Sequence, residues 1–280
     1  MESLLARLRA EAGARQKLVK LLAGYARLLD DPVNNATRRE TELARVARAV
    51  EAVEPGDTRQ ALDGWLAAER ERLGSDRDAF RFEFGTRLAQ ELARHGLGAR
   101  GQLPVLRVGL VSLRCDFAGG KAALWWGPEV EQVKTGLALA PEGLADEVAG
   151  WLKDLRDKAA DPAETRRRLV EAYRRCRLLG GLEPGARVGL LDVLAEVVHG
   201  LQPKSFRADP TRQRFVEYPR VRFSFDLFRL KTAGEGAGPR LRLHVATFDA
   251  TTAKGRALWV PDNEDGEGTY YSYLSTGGEA

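Results

Sequence analysis

Apolar positions recur every three or four residues through the first hundred residues. Leu4, Leu8, Leu18, Leu21, Leu22, Tyr25, Leu28 and Leu29 make one stripe, which predicts an amphipathic helix ended by Asp31-Pro32. Thr37-Arg38-Arg39-Glu40 has the form of a capping box, and Leu43, Val46, Val50 and Val53 carry the next stripe. Asp57 opens a third helix bearing Leu62, Trp65, Leu66 and Leu73, with Gly74 as its stop. A fourth helix runs from about Asp76 to Gly96. Its start is ambiguous, because Phe80, Phe82 and Phe84 alternate like a strand while Phe84, Leu88 and Leu92 step like a helix.

Near residue 102 the period changes. Leu103 to Phe117 reads as one long strand with a bulge at Leu110-Val111. Ala118-Gly119-Gly120-Lys121 is a hairpin turn, and Ala122 to Trp126 returns, with Gln132 to Leu139 as a further strand. Three helices follow. They begin at Pro141, at Asp161-Pro162 (an N-cap acid, proline at N1 and Glu164 at N3) and at about Ala186. Strands are expected again from Tyr218, where Val221, Phe223, Phe225 and Leu227 alternate with Arg220, Arg222, Ser224 and Asp226. Arg240 to Phe248, Ala257 to Val260 and Thr269 to Leu274 complete a meander.

One sentence of the chain is written twice. FAGGKAALWWGPE (117–129) resembles TTAKGRALWVPDN (251–263), and LRVGLVSL from Leu106 lies over LRLHVATF from Leu241. The expected fold is therefore α+β. A helical region, 1–101, precedes an α+β region, 102–280, with hairpin copy one at 103–139, inserted helices at 141–201 and hairpin copy two at 218–274. Both strand groups are expected to join one mostly antiparallel sheet, because two or three strands alone are marginal.

Composition narrows the class. Charged residues are 30% of the 280, so the chain reads as globular rather than disordered. It contains no apolar run of membrane-spanning length, and its charged start is unlike a signal peptide, so a cytoplasmic location and no membrane partner are expected. Cys115 and Cys176 stand apart and outside any CxxC, which points to core thiols. The net charge is +4, with basic blocks at Arg166–Arg168 and Arg174–Arg177 and a further basic series from Lys204 to Lys231. Asp262, Glu264, Asp265 and Glu267 oppose them in one acidic loop. Such a basic middle suits an anionic partner. Arginine in excess of lysine is also what a GC-rich, bacterial genome produces.

Candidate chemistry is sparse. Gly96-Leu97-Gly98-Ala99-Arg100-Gly101 spells GxGxxG but follows a helix and precedes a strand, the reverse of the dinucleotide fingerprint, so it reads as a helix cap and linker. His95, His199 and His244 have no metal-ligand spacing. A magnesium-dependent nuclease or phosphoesterase would draw on Asp116, Glu129, Glu131 and Lys134, or on Asp226, His244 and Asp249. Glu131 and Lys134 are one residue too far apart for the Glu-x-Lys pattern of restriction-type nucleases. The basic tips Lys121, Lys254 and Arg256, with Arg220 and Arg222, are the candidate contacts to a phosphate backbone, and the nearby tryptophans are candidate base platforms. The leading expectation is a non-enzymatic accessory protein that binds DNA or RNA without a cofactor, its helical region making protein contacts. The alternatives are the magnesium enzyme and a scaffold that meets a partner protein or a second copy through its first helix.

Overall fold

A computed structural model describes residues 1–32, 35–234, 239–252 and 256–277, apart from the side chains of residues 7 and 252. The fold is α+β, and none of its described helices is long and apolar enough to cross a membrane. The chain divides into two compact units. The first comprises residues 1–91 with 115–121 and 138–144, and the second comprises the remainder.

The first unit is built on α1 (Glu2–Arg27), α2 (Ala36–Val50) and most of α3 (Asp57–Arg94). Leu18, Tyr25, Leu43, Val46, Val50, Leu66 and Leu73 form its core. The stripe read from the sequence is thus real over the second half of α1, whereas Leu4, Leu5 and Leu8 are exposed. Two expectations are corrected. Gly74 does not stop a helix: α3 runs through it in one piece, since Leu73 before it and Phe84 and Leu88 beyond it are all buried. Such burial outweighs the roughly 1 kcal/mol that a helical glycine costs. Thr37 is not a cap either, for α2 begins at Ala36, Thr37 Oγ1 donates to Phe117 O (2.8 Å), and Glu40 pairs with Arg77 (2.8 Å).

Buried charge ties the three helices together. Arg39, 1% exposed, donates to Glu69 (2.7 Å), Asp76 (2.5 Å) and Pro32 O (2.9 Å). Tyr25 donates its hydroxyl to Glu69 (2.7 Å), and its pKa is pushed up to about 12, first by burial and then by the bond to Glu69.

The second unit opens on strands. Leu103 to Phe117 is not one bulged strand: β1 (Ala99–Gln102), β2 (Val105–Val108) and β3 (Val111–Asp116) are joined by the two-residue turns Leu103-Pro104 and Gly109-Leu110. Gly109 adopts the positive φ (+55°) that such a tight turn needs at its first position. β4 (Lys121–Trp126) and β5 (Glu131–Ala138) complete a five-stranded sheet in the order β1-β2-β3-β4-β5.

Helices α4 (Pro141–Asp157), α5 (Pro162–Leu179) and α6 (Leu190–Leu201) follow, near their expected places. The Asp161 carboxylate accepts from the backbone amides of Ala163 and Glu164, as an N-cap acid should. After the short α7 (Lys204–Ala208), the expected strand at 218 is instead α8 (Arg220–Thr232). Val221 and Phe223 through Phe228 are all buried, so this helix is wrapped by the core on most sides. A segment apolar nearly all round satisfies period two and period 3.6 together, and burial decides for the helix.

The remaining strands form a second sheet rather than extending the first: β6 (Val188–Gly189), β7 (Arg240–Val245), β8 (Leu258–Pro261) and β9 (Gly268–Gly277). α9 (Phe248–Thr252) lies between β7 and β8 in the chain. Leu274 pairs with Leu243 on one side and Val188 on the other, and Tyr271 pairs likewise with Val245 and Leu258. β9 is therefore central, with β7 along one edge and β6 and β8 along the other. The likeness of 117–129 to 251–263 is not matched by like pairing. β3 and β4 are neighbours, whereas β7 and β8 each pair with β9. Burial differs too: β4 alternates, with Trp126 buried and Trp125 only partly so, whereas every residue of β8 is buried, including Trp259 and Val260, the counterparts of Trp125 and Trp126.

Ser224 on α8 joins these elements: Trp126 Nε1 donates to its hydroxyl (3.1 Å), which donates to Trp259 O (2.5 Å). The Trp259 ring is also fitted against glycine. A Cβ on Gly127 would fall 2.8 Å from it, and one on Gly268 would collide with the indole directly.

Candidate nucleic-acid interface

The carboxylates singled out by sequence are each engaged separately. Asp116 accepts from the amides of Ala118 (3.1 Å) and Gly119 (3.0 Å) and shapes the hairpin turn. Glu129 is held by both nitrogens of the Arg114 fork, which keeps its carboxyl below the usual range. Glu131 pairs with Arg220 (2.8 Å) and Lys134 with Glu147. Asp226 is fully buried and accepts from the Tyr218 hydroxyl (2.5 Å) and the Ala160 amide (3.1 Å). Burial pushes its carboxyl above the usual range, the two hydrogen bonds opposing the rise. Asp249 is exposed on α9. Among the described residues, His, Cys, Asp and Glu form no group of three or more placed to hold a metal ion. Cys115 is a core thiol, whereas Cys176 is only partly buried; burial pushes Cys115 up to about 12 and Cys176 up to about 11.

The cations singled out by sequence are dispersed. Lys121 is exposed at the start of β4, and Arg256 is exposed ahead of β8. Lys254 lies outside the described residues. Arg220 is shared between Glu131 and Ala257 O (2.9 Å), while Arg222 donates to Lys158 O and lies over the Tyr218 ring. The arginine blocks of α5 are partly spent within the helix: Arg167 and Arg168 pair with Glu164, and Arg175 with Glu171. The acidic loop is also occupied, since Asp262 pairs with Lys231 (2.5 Å), Asp265 with Arg100 (2.6 Å) and Glu264 with Arg156 (3.3 Å).

A different set comes together on the second sheet. Along β7, Leu241 and Leu243 turn to the side where Leu274, Leu169 and Leu227 gather. Strand alternation sends Arg242 and His244 to the other side. Across from them on β9 stand Ser275, opposite Arg242, and Tyr273, opposite His244. Tyr273 is 46% exposed, and on its far side it faces Gly189 of β6, which brings no side chain of its own against the ring. Tyr271 differs, because Lys231 lies over its ring (5.1 Å). His244 Nε2 meets Ser275 Oγ at 2.8 Å. Burial, and then the positive charges of Arg187 and Arg242, lower the pKa of His244, which favours the neutral imidazole. Arg187 and Arg242 are both exposed, and no carboxylate pairs with either among the described residues.

Comparison with protein-family models, with curated proteins and with solved structures finds no match to this chain.

The sequence reading set His244 beside Asp226 and Asp249, and did not bring Tyr273, Arg187, Arg242 or Ser275 to it. These residues come from β7, from β9 and from the residue just before β6, and only the pairing of those strands makes them neighbours.

Proposed function

We propose that this protein is a non-enzymatic nucleic-acid-binding protein that takes single strands on the open side of its second sheet. One observation carries the reading: an exposed tyrosine, Tyr273, stands beside His244 and next to two arginines that no carboxylate neutralises among the described residues. Aromatic faces stack with bases of any identity, and guanidinium forks match phosphate, so the combination suits a strand whose bases are unpaired. The test is fluorescence anisotropy with a labelled single strand of roughly a dozen nucleotides, over a range of salt. Affinity should fall with salt, and Arg242→Gln should flatten the log–log slope by about 0.7, the share of one single-strand phosphate contact. Tyr273→Ala should cost about 1–3 kcal/mol with little change of slope. Absence of low-salt affinity, or indifference to both substitutions, rejects the reading.

For the helical unit a protein contact is favoured by Leu4, Leu5 and Leu8, which are 61%, 46% and 53% exposed on α1. Replacing Leu4 and Leu8 by serine should leave folding intact and lower the mass observed in sedimentation, either of a homo-oligomer or of a co-purifying complex. An unchanged mass counts against it.

A further inference from the structure

Two arginines flank one serine of the second sheet: Arg242 on β7, Ser275 on β9, and Arg187 immediately before β6. Arg242 of β7 lies opposite Ser275 of β9. On the far side of β9, Gly189 lies opposite Tyr273 and Val188 opposite Leu274, so one more step along that register sets Arg187 beside Ser275. Adjacent strands are about 4.8 Å apart, which places the two arginine backbones roughly 10 Å apart with the serine midway. Both side chains are long enough to meet above it. Ser275 is 8% exposed and forms a floor, whereas the arginines are open to solvent. His244, the next residue on that side of β7, reaches the same hydroxyl at 2.8 Å. The Asp192 carboxylate sits over Gly189, one row away beside Tyr273.

We propose that Arg187, Arg242, Ser275 and His244 form a site for a terminal phosphate, the monoester at the end of a nucleic-acid strand. The site rests on the single-strand reading above and names the part of the strand that it grips. Each guanidinium offers a planar fork suited to two phosphate oxygens, and the serine adds a hydroxyl between them. An internal diester has only two free oxygens and one negative charge. A terminal monoester has three oxygens and close to two charges at neutral pH, which matches two forks and a central hydroxyl. Burial, and then the positive charges of Arg187 and Arg242, lower the pKa of His244, so both arginines act on the imidazole that meets Ser275. Tyr273 in the adjoining row is where the terminal base would stack.

The experiment compares one oligonucleotide bearing a 5′-phosphate, a 3′-phosphate or hydroxyls at both ends. One phosphorylated form should bind at least about tenfold tighter than the hydroxyl form, the least expected from a gained pair of charge-assisted bonds. Arg187→Gln and Arg242→Gln should abolish that preference, whereas Tyr273→Ala should weaken all forms alike. Equal affinity for all ends overturns the terminal site while leaving single-strand binding intact. A second arm titrates inorganic phosphate alone and follows the imidazole protons by NMR; only three histidines need assignment. The His244 signals should shift with phosphate, and not in Arg187→Gln. If oligonucleotides fail to bind but phosphate shifts His244, the anion site stands and the nucleic-acid reading falls. If phosphate leaves His244 unmoved, the site is refuted.

Discussion

Arg39→Met removes the centre of the charge cluster in the helical unit, and its cost follows from what remains. Glu69, whose side chain is 3% exposed, loses its 2.7 Å ion pair. It keeps the Tyr25 hydroxyl at 2.7 Å and Arg72 at 3.6 Å, and Arg72 is largely in solvent. Pro32 O loses a donor, and Asp76 its partner. Methionine fills most of the volume, so little of the loss is cavity. Stranding one buried charge in this way costs about 3–5 kcal/mol. The double change Arg39→Met with Glu69→Gln should recover a large part, because the stranded charge is gone. Urea unfolding followed by Trp65 fluorescence is the assay, since the Trp65 ring meets Tyr25 edge-on at 5.6 Å. A loss below about 1 kcal/mol for Arg39→Met, the range of exposed pairs, would show that the cluster is not dry and would refute the reasoning.

Two further outcomes concern the second unit. Gly268→Ala drives a methyl into the Trp259 indole and should cost about 1–3 kcal/mol in thermal unfolding; the cost should shrink in a Trp259→Leu background, and an equal cost in both would exclude the clash as its cause. Asp226 has a carboxyl raised chiefly by burial, so its contribution favours the folded chain most below the ordinary carboxylate pKa and declines as pH climbs through the folded value. Asp226→Asn stays neutral throughout, and its stability relative to the parent should therefore rise between about pH 4 and pH 7; a gap between the two urea midpoints that does not change with pH would show that the carboxyl does not titrate as its burial implies.

Local chemistry was legible where one signal stood unopposed. Asp161-Pro162-Ala163-Glu164 placed a helix start correctly, because a cap acid, an N1 proline and an N3 acid all act within one turn. The turn at Ala118–Lys121 was read for the same reason. Errors arose where two tendencies competed. FSFDLFRL in α8 fits either period, and the choice was made by the core that surrounds it. Gly74 carries a stop signal that burial on both sides overrules. Pro104 and Gly109 did signal turns, yet the continuous apolar run between them concealed three short strands. The candidate interface lay beyond sequence reasoning for another reason. Arg187 and Arg242 are 55 positions apart in number and adjacent only through β9.

Trp126 and Trp259, brought to one serine, lie 5.5 Å apart with their rings at 84°. Two identical chromophores held so close at a fixed, nonparallel angle share their excited states. The pair should therefore give a circular dichroism couplet that neither indole shows alone. Because one ring comes from each sheet, the share of the couplet lost in Trp259→Phe is an optical signature of their mutual registry; Trp126 also meets Trp151 at 6.2 Å and 56°, so Trp259→Phe should weaken the couplet and Trp126→Phe should remove both pairs.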